Sequence, residues 1–145
     1  MKLNLACVRD ILLCVEDNTG YRKFTSFVDV DRIGKESEVL GCNPPKVWPY
    51  QQKLLDSYSN EEILYHFQYC IGADLIDTDG KFGTMQFIVY DLTEKGHETI
   101  RNLRSPKVFK ITENIAKEIG VHSLEGICNI ASSVVNGIIQ ANLNI

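Results

Sequence analysis

Residues 59–77, SNEEILYHFQYCIGADLID, open with a helix start and close with a stop. Ser59 with Glu62 three residues later has the form of a capping box, in which the serine hydroxyl accepts from the third amide of the helix. The spacing predicts a helix from Asn60, with Ile63, Phe67, Cys70 and Ile71 on its buried face and Gly72 at its end. Turn chemistry follows in DTDGKFGT (77–84), between two β-prone runs, Leu75-Ile76 and MQFIVYDL (85–92). A capped helix running into a tight hairpin is the kernel of a winged helix-turn-helix.

The flanking sequence extends this kernel. Asn4 is an N-cap for LACVRDILLCVED (5–17), whose Leu5, Val8, Ile11, Leu12 and Val15 fall at helical spacing, and Asn18-Thr19-Gly20 supplies a stop. FTSFVDV (24–30) predicts a short strand. From Gly34 to Pro49 the chain is expected to be irregular, because Gly41, Pro44, Pro45 and Pro49 oppose a long helix, with Trp48 anchoring the loop on the core. YQQKLLDS (50–57) adds a short helix. Thr93 caps a helix through about Leu103, Ser105-Pro106 starts another that Gly120 ends, and Ser123 begins a last one to about Leu143. The expected fold class is α+β, mainly α. A winged helix-turn-helix-like core occupies residues 1–104 with an irregular insertion at 24–56, and a C-terminal helical pair at 105–145 belongs to the same compact domain.

Composition narrows the function classes. With 44% hydrophobic and 23% charged residues the 145-residue chain is an ordinary globular protein. Its net charge of −4 gives no global attraction to phosphate or anionic lipid. Five cysteines without a C-x-x-C pair read as reduced thiols in a cytoplasmic protein. MKLNLAC at the start is not read as an export signal, since Arg9 and Asp10 interrupt the apolar run, and no stretch is long and apolar enough to span a membrane. His66, His97 and His122 have no zinc spacing, so no metal or cofactor is expected, and His66 and His97 are read as hydrogen-bonded structural residues. His97-Glu98 and Cys70 form no recognisable nucleophile arrangement, which argues against an enzyme.

Four stretches, MKLNLACVRDILLCVEDN, YSNEEILYHFQYCIGADLI, DLTEKGHETIRNLRS and HSLEGICNIASSVVNGIIQ, resemble a family of small bacterial and phage proteins catalogued as a domain of unknown function. The most specific pieces are Tyr65-His66 and Leu92-Thr93…Gly96-His97-Glu98, while residues 22–56 depart from the family pattern. The resemblance implies a winged-helix-like fold and a mobile-element setting, and no activity.

Charge by segment decides how the kernel is used. Residues 59–98 carry eight acids (Glu61, Glu62, Asp74, Asp77, Asp79, Asp91, Glu94, Glu98) against Lys81 and Lys95. A helix that reads DNA needs cations beside it to neutralise phosphates, and this one has none. The favoured expectation is a protein partner meeting an acidic face built from Glu61, Glu62, Tyr65, Gln68, Tyr69, Asp77 and Asp79, as in an inhibitor of a host or defence protein. The alternative is a DNA-binding transcriptional regulator, with Tyr65, Gln68 and Tyr69 in a groove and Arg101, Arg104, Lys107 and Lys110 on phosphates or an acidic partner.

The last helix is unusual in composition. Leu124, Ile127, Cys128, Ala131, Val134, Val135, Ile138 and Ile139 form an apolar stripe, yet no charged residue occurs from Gly126 to Ile145. Homodimerisation through Leu124, Ile127, Ala131, Val134, Val135, Ile138 and Ile139 is the expectation, and membrane binding is not, because the polar face lacks cations.

Overall fold

A computed structural model describes residues 1–43 and 46–143. The elements run α1 (Leu5–Asn18), β1 (Thr25–Val28), α2 (Val30–Leu40), α3 (Pro49–Leu55), α4 (Asn60–Gly72), β2 (Ile76–Thr78), β3 (Gln86–Leu92), α5 (Glu94–Leu103), α6 (Pro106–Ile119) and α7 (Leu124–Leu143). The class is α+β, mainly α, as the sequence predicted.

Most helix ends lie where the caps put them. Asn4 Oδ1 accepts from the amides of Ala6 and Cys7, Ser59 Oγ from Glu62, Thr93 Oγ1 from Gly96, and Ser105 Oγ from Val108. Gly120 closes α6 in the left-handed conformation, which a glycine adopts without a Cβ penalty. The Ser59 box is only half formed. The Glu62 carboxylate turns instead to Asn4, whose Nδ2 donates to Glu62 Oε1 at 3.1 Å.

The three strands make one antiparallel sheet in the order β1-β3-β2, so the second strand of the hairpin is central. A register shift between Asp77 and Thr78 bulges the hairpin near Tyr90. The inner face of the sheet contributes Phe27, Phe87, Val89 and Ile76 to a core that also takes Val8, Ile11 and Leu12 of α1, Phe67 and Cys70 of α4, and Ile100 and Leu103 of α5. Ala116, Leu124, Ile127, Cys128 and Ala131 join the same core, so the C-terminal pair has no separate one.

The outer edge of β1 is covered by side chains rather than a fourth strand. The Tyr50 hydroxyl accepts from Ser26 N at 2.8 Å and donates to Ser26 O at 3.0 Å, and the Gln51 amide pairs with Val28 N and O. Alternate backbone groups of an edge that would otherwise template another strand are thereby satisfied.

Two expectations need correction. The insertion at 24–56 is not irregular, because α2 spans Val30–Leu40 within it. Asp29 caps that helix through a bond from Arg32 N, and Gly41 ends it in the left-handed region. Gly34 is accommodated mid-helix at a cost of about 1 kcal/mol relative to alanine. Pro44 and Pro45, read as helix breakers, lie outside the described residues. Trp48 does not anchor the loop in the core. It is 60% exposed and stacks on Tyr50, which carries the contact onward to Phe27.

Candidate functional site

α4 packs on α1 and also touches α3 and β2, and its inner residues Ile63, His66, Phe67 and Cys70 are buried. His66 is wholly enclosed. Its Nε2 accepts from Asn4 N at 2.8 Å, so Nδ1 carries the proton and donates to Glu62 O at 2.7 Å. This fixes one neutral tautomer and locks α4 to the first turn of α1. The structural reading of His66 is thus confirmed. Thr93 and Gly96 act similarly downstream. Thr93 Oγ1 donates to Asp74 O at 2.6 Å, and a Cβ added at Gly96 would sit 2.0 Å from Leu75 O. The residues that carry the family resemblance therefore hold α4, the hairpin and α5 together.

What α4 turns outward is Glu61, Gln68 and Gly72, exposed, with Leu64, Tyr65 and Tyr69 half-exposed beside them. Tyr65 and Tyr69 pack edge to face with ring centroids 5.4 Å apart. The Tyr69 phenol is pushed up from its ordinary value by partial burial and by Tyr65 beside it. The face is a ridge with a hollow on each side. One hollow is lined by Tyr65, Gln68, Tyr69, Gly72 and Ala73 of α4 and by Ser123, Leu124 and Glu125 at the start of α7. The other takes Glu61, Leu64, Tyr65 and Gln68 together with Asp29, Asp31, Arg32 and Lys35 from the α2 end and Phe82 from the hairpin loop.

This geometry separates the acidic residues that the sequence grouped. Glu61, Tyr65, Gln68 and Tyr69 share the ridge. Glu62 does not, being committed to Asn4. Asp77 stands on β2 opposite Asp91, and Asp79 closes the hairpin turn by accepting from Lys81 N, so neither lines the hollows. The α2 residues were missed because they lie about thirty positions upstream of α4. Their only local signal is the Asp29…Arg32 cap. They also add two cations, Arg32 and Lys35, beside Asp29, Asp31 and Glu61, so this hollow is mixed in charge. Arg32 Nη1 donates to Gly83 O and pins the hairpin loop against α2, and Phe82 tucks edge to face onto Phe87.

The basic residues lie elsewhere. Arg101, Arg104, Lys107 and Lys110 are all exposed on α5, the α5–α6 link and α6. Arg104 pairs with Glu16 near the C-terminal end of α1, and Lys110 reaches Glu113 at 3.6 Å. Among the described residues, Arg101 and Lys107 have no carboxylate within ion-pair distance. Arg9, whose guanidinium lies 4.2 Å from the Phe109 ring centroid, is a neighbouring cation distant in sequence from the Arg101–Lys110 group. α4 meets α1 at Asn4, twelve residues and about 18 Å of helix from Glu16. Arg104 is thus remote from the α4 ridge, but α6 runs back past Arg9, and its Lys117 lines with Lys2, Glu113 and His122 a third hollow that Tyr69 borders.

His97 Nε2 lies 3.4 Å from Asp91 Oδ1, which also accepts from the Thr19 hydroxyl. The Cys70 thiol is fully buried and pushed up by that burial. Among the described residues no group of three His, Cys, Asp or Glu side chains is placed to hold a metal ion. No described helix is long and apolar enough to cross a membrane.

Fold and face together define a small, mainly helical α+β protein with a capped helix bared beside a hairpin. The chain belongs to the family of hypothetical proteins DUF2513, whose model matches residues 2–122 and so ends just before α7. No curated protein and no solved structure matches it.

Proposed function

We propose that the chain is a non-catalytic, winged-helix-like interaction module of phage or mobile-element type, acting in the cytoplasm on a protein partner through the outward face of α4. The order α1, β1, α3, α4, hairpin, with the second hairpin strand central, supports the winged-helix reading, α2 being the inserted element. The observation that carries the partner assignment is the ridge of Glu61, Tyr65, Gln68 and Tyr69. It combines aromatic area, an amide and a carboxylate, with no cation on the helix itself. Half-exposed tyrosines over shallow hollows are the anchors that protein interfaces favour. Inhibition of a host or defence protein is the proposed use, with Glu61, Asp29 and Asp31 outnumbering Arg32 and Lys35 where a basic group of the partner would meet the ridge.

The alternative, a DNA-binding regulator, requires phosphate-neutralising cations around α4; Arg104 pairs with Glu16 at the far end of α1, and the cations that do line hollows beside the ridge, Arg32 and Lys35 on one side and Lys2 and Lys117 on the other, are interleaved with Asp29, Asp31, Glu61 and Glu113. The test is capture of partners from host lysate with nuclease treatment, comparing the wild type with Glu61→Lys and Tyr65→Ala. A stoichiometric protein that survives nuclease and is lost with either variant supports the reading. Recovery of nucleic acid alone, abolished by Arg101→Ala with Arg104→Ala, overturns it in favour of DNA binding.

A further inference from the structure

α7 is twenty residues long and packs mainly along α6, which has fourteen, so about 9 Å of it extends beyond its neighbour. Its first half is consumed by the chain itself. Leu124, Ile127, Cys128 and Ala131 are buried, which removes Leu124, Ile127 and Ala131 from any surface role. Val134, Val135 and Ile138 are half-buried, and beyond them Ile139 is 49% and Leu143 78% exposed. On the side away from the domain stand Asn129, Ser133, Asn136, Gly137 and Gln140, all exposed.

The other exposed helix faces of this molecule provide the comparison. α5 turns Glu94, Glu98 and Arg101 to water, and α6 turns Lys107, Lys110, Lys117 and Glu118. From Gly126 onward α7 turns no charge outward at all. A face that remained in water would be expected to resemble its two neighbours.

We propose that α7 joins two copies of this chain about a two-fold axis, with the helices crossing near Gly137. Three features select a second copy over other occupants. A strongly charged partner finds no counter-charge from Gly126 onward, and an anionic membrane finds no cations there. Amide and hydroxyl groups both donate and accept, so a stripe of Asn129, Ser133, Asn136 and Gln140 complements itself across a two-fold axis. A Cβ at Gly137 would meet nothing within 4 Å, so the helix backbone there is open to close approach. Ile139 and Leu143 of each copy then gain cover. The face from Asn129 to Leu143 is about 21 Å long and 10 Å across, which gives on the order of 700 Å² of total buried surface, the size of a weak and reversible interface, and hence an association in the micromolar range or weaker.

Sedimentation velocity of the full chain across the micromolar range reads this directly. The expected result is a monomer–dimer equilibrium, weakened about tenfold or more by Gly137→Arg and by Ile139→Glu, each at an exposed site that leaves the helical circular dichroism intact. A monomer at every concentration overturns the proposal. So does a dimer that neither variant weakens, and so does a monomer that binds anionic vesicles through α7.

Discussion

The side chain of Asn60, the first residue of α4, holds Asp29 and Asp31 at the start of α2. Its Nδ2 donates to Asp29 Oδ1 at 2.9 Å and to Asp31 Oδ2 at 3.1 Å, and its Oδ1 accepts from Val30 N at 3.3 Å. α2 has little else to secure it, since Ser37 is its only buried residue and Val39 and Leu40 stand in water. Asn60→Ala should therefore cost about 2 kcal/mol, the scale of losing bonds to charged groups at a buried site. Hydrogen exchange should rise across Val30–Leu40 and not in α1. Asn60→Asp should cost more, because it sets a third carboxylate against two. Unchanged exchange in α2 would refute the tether.

Gly96 makes a second prediction at a family motif. α5 approaches the chain so closely that any Cβ here collides with the Leu75 carbonyl, the group that also accepts from Thr93 N at 3.0 Å. Backbone cannot yield as a flexible side chain does. Gly96→Ala should destabilise by about 3 kcal/mol despite alanine's better helix propensity, whereas Gly34→Ala, in the middle of α2 where a Cβ would meet nothing within 4 Å, should stabilise by up to about 1 kcal/mol. Denaturant midpoints with unchanged slopes would measure both.

These two residues also show what the sequence made legible. Thr93, Ser59, Ser105 and Asn4 announce helix starts because capping is local chemistry, read within four residues. α2 was not legible because Gly41 and the prolines beyond it argue against a helix, because its cap Asp29 falls inside the run read as a strand, and because a helix that buries one serine has almost no apolar period to detect. The site was half legible. Tyr65 and Gln68 follow from α4 alone, but their neighbours Asp31, Arg32, Phe82 and Glu125 arrive from three other elements. Glu62 looked like a surface acid until tertiary contact gave its carboxylate to Asn4.

Thr112 offers the opposite sign of effect. Its hydroxyl, on the inner side of α6, is buried and has no hydrogen-bond partner among the described residues. An unpaired buried hydroxyl costs about 1–3 kcal/mol relative to a paired or absent one. Thr112→Val keeps the shape and removes the group, so it should raise the melting temperature. A lowered melting temperature would mean that the hydroxyl has a partner in solution.

The thiols set a pH limit on stability. Burial is the main cause pushing Cys7 and Cys14 from 9.0 up to about 12, and burial with the Asp10 carboxylate it bonds also pushes up the Tyr58 phenol. A group whose folded value lies above its unfolded one favours the folded state fully below the unfolded value. That stability is lost as pH rises through the window, here from about 9 to about 12. Stability should fall across this interval, and Cys14→Ala should flatten the fall. Near neutral pH a disulfide reagent should label Cys42, the exposed cysteine, rapidly, and the four buried ones only on unfolding.

The covered edge of β1 gives the last prediction. Gln51 is almost fully buried, with Nε2 donating to Val28 O at 2.7 Å and Oε1 accepting from Val28 N at 3.1 Å. Gln51→Leu fills similar volume yet strips both partners from that backbone, which should cost about 2–4 kcal/mol. The vacated edge then presents Val28 N–H and C=O beside the Ser26 groups that only the Tyr50 hydroxyl still covers. The double variant Gln51→Leu, Tyr50→Phe should therefore add concentration-dependent β-rich aggregation, while Tyr50→Phe alone should stay soluble. Light scattering with infrared amide bands separates these outcomes. Loss of stability in the double variant without aggregation would mean that α3 shields the edge by its bulk rather than by these hydrogen bonds.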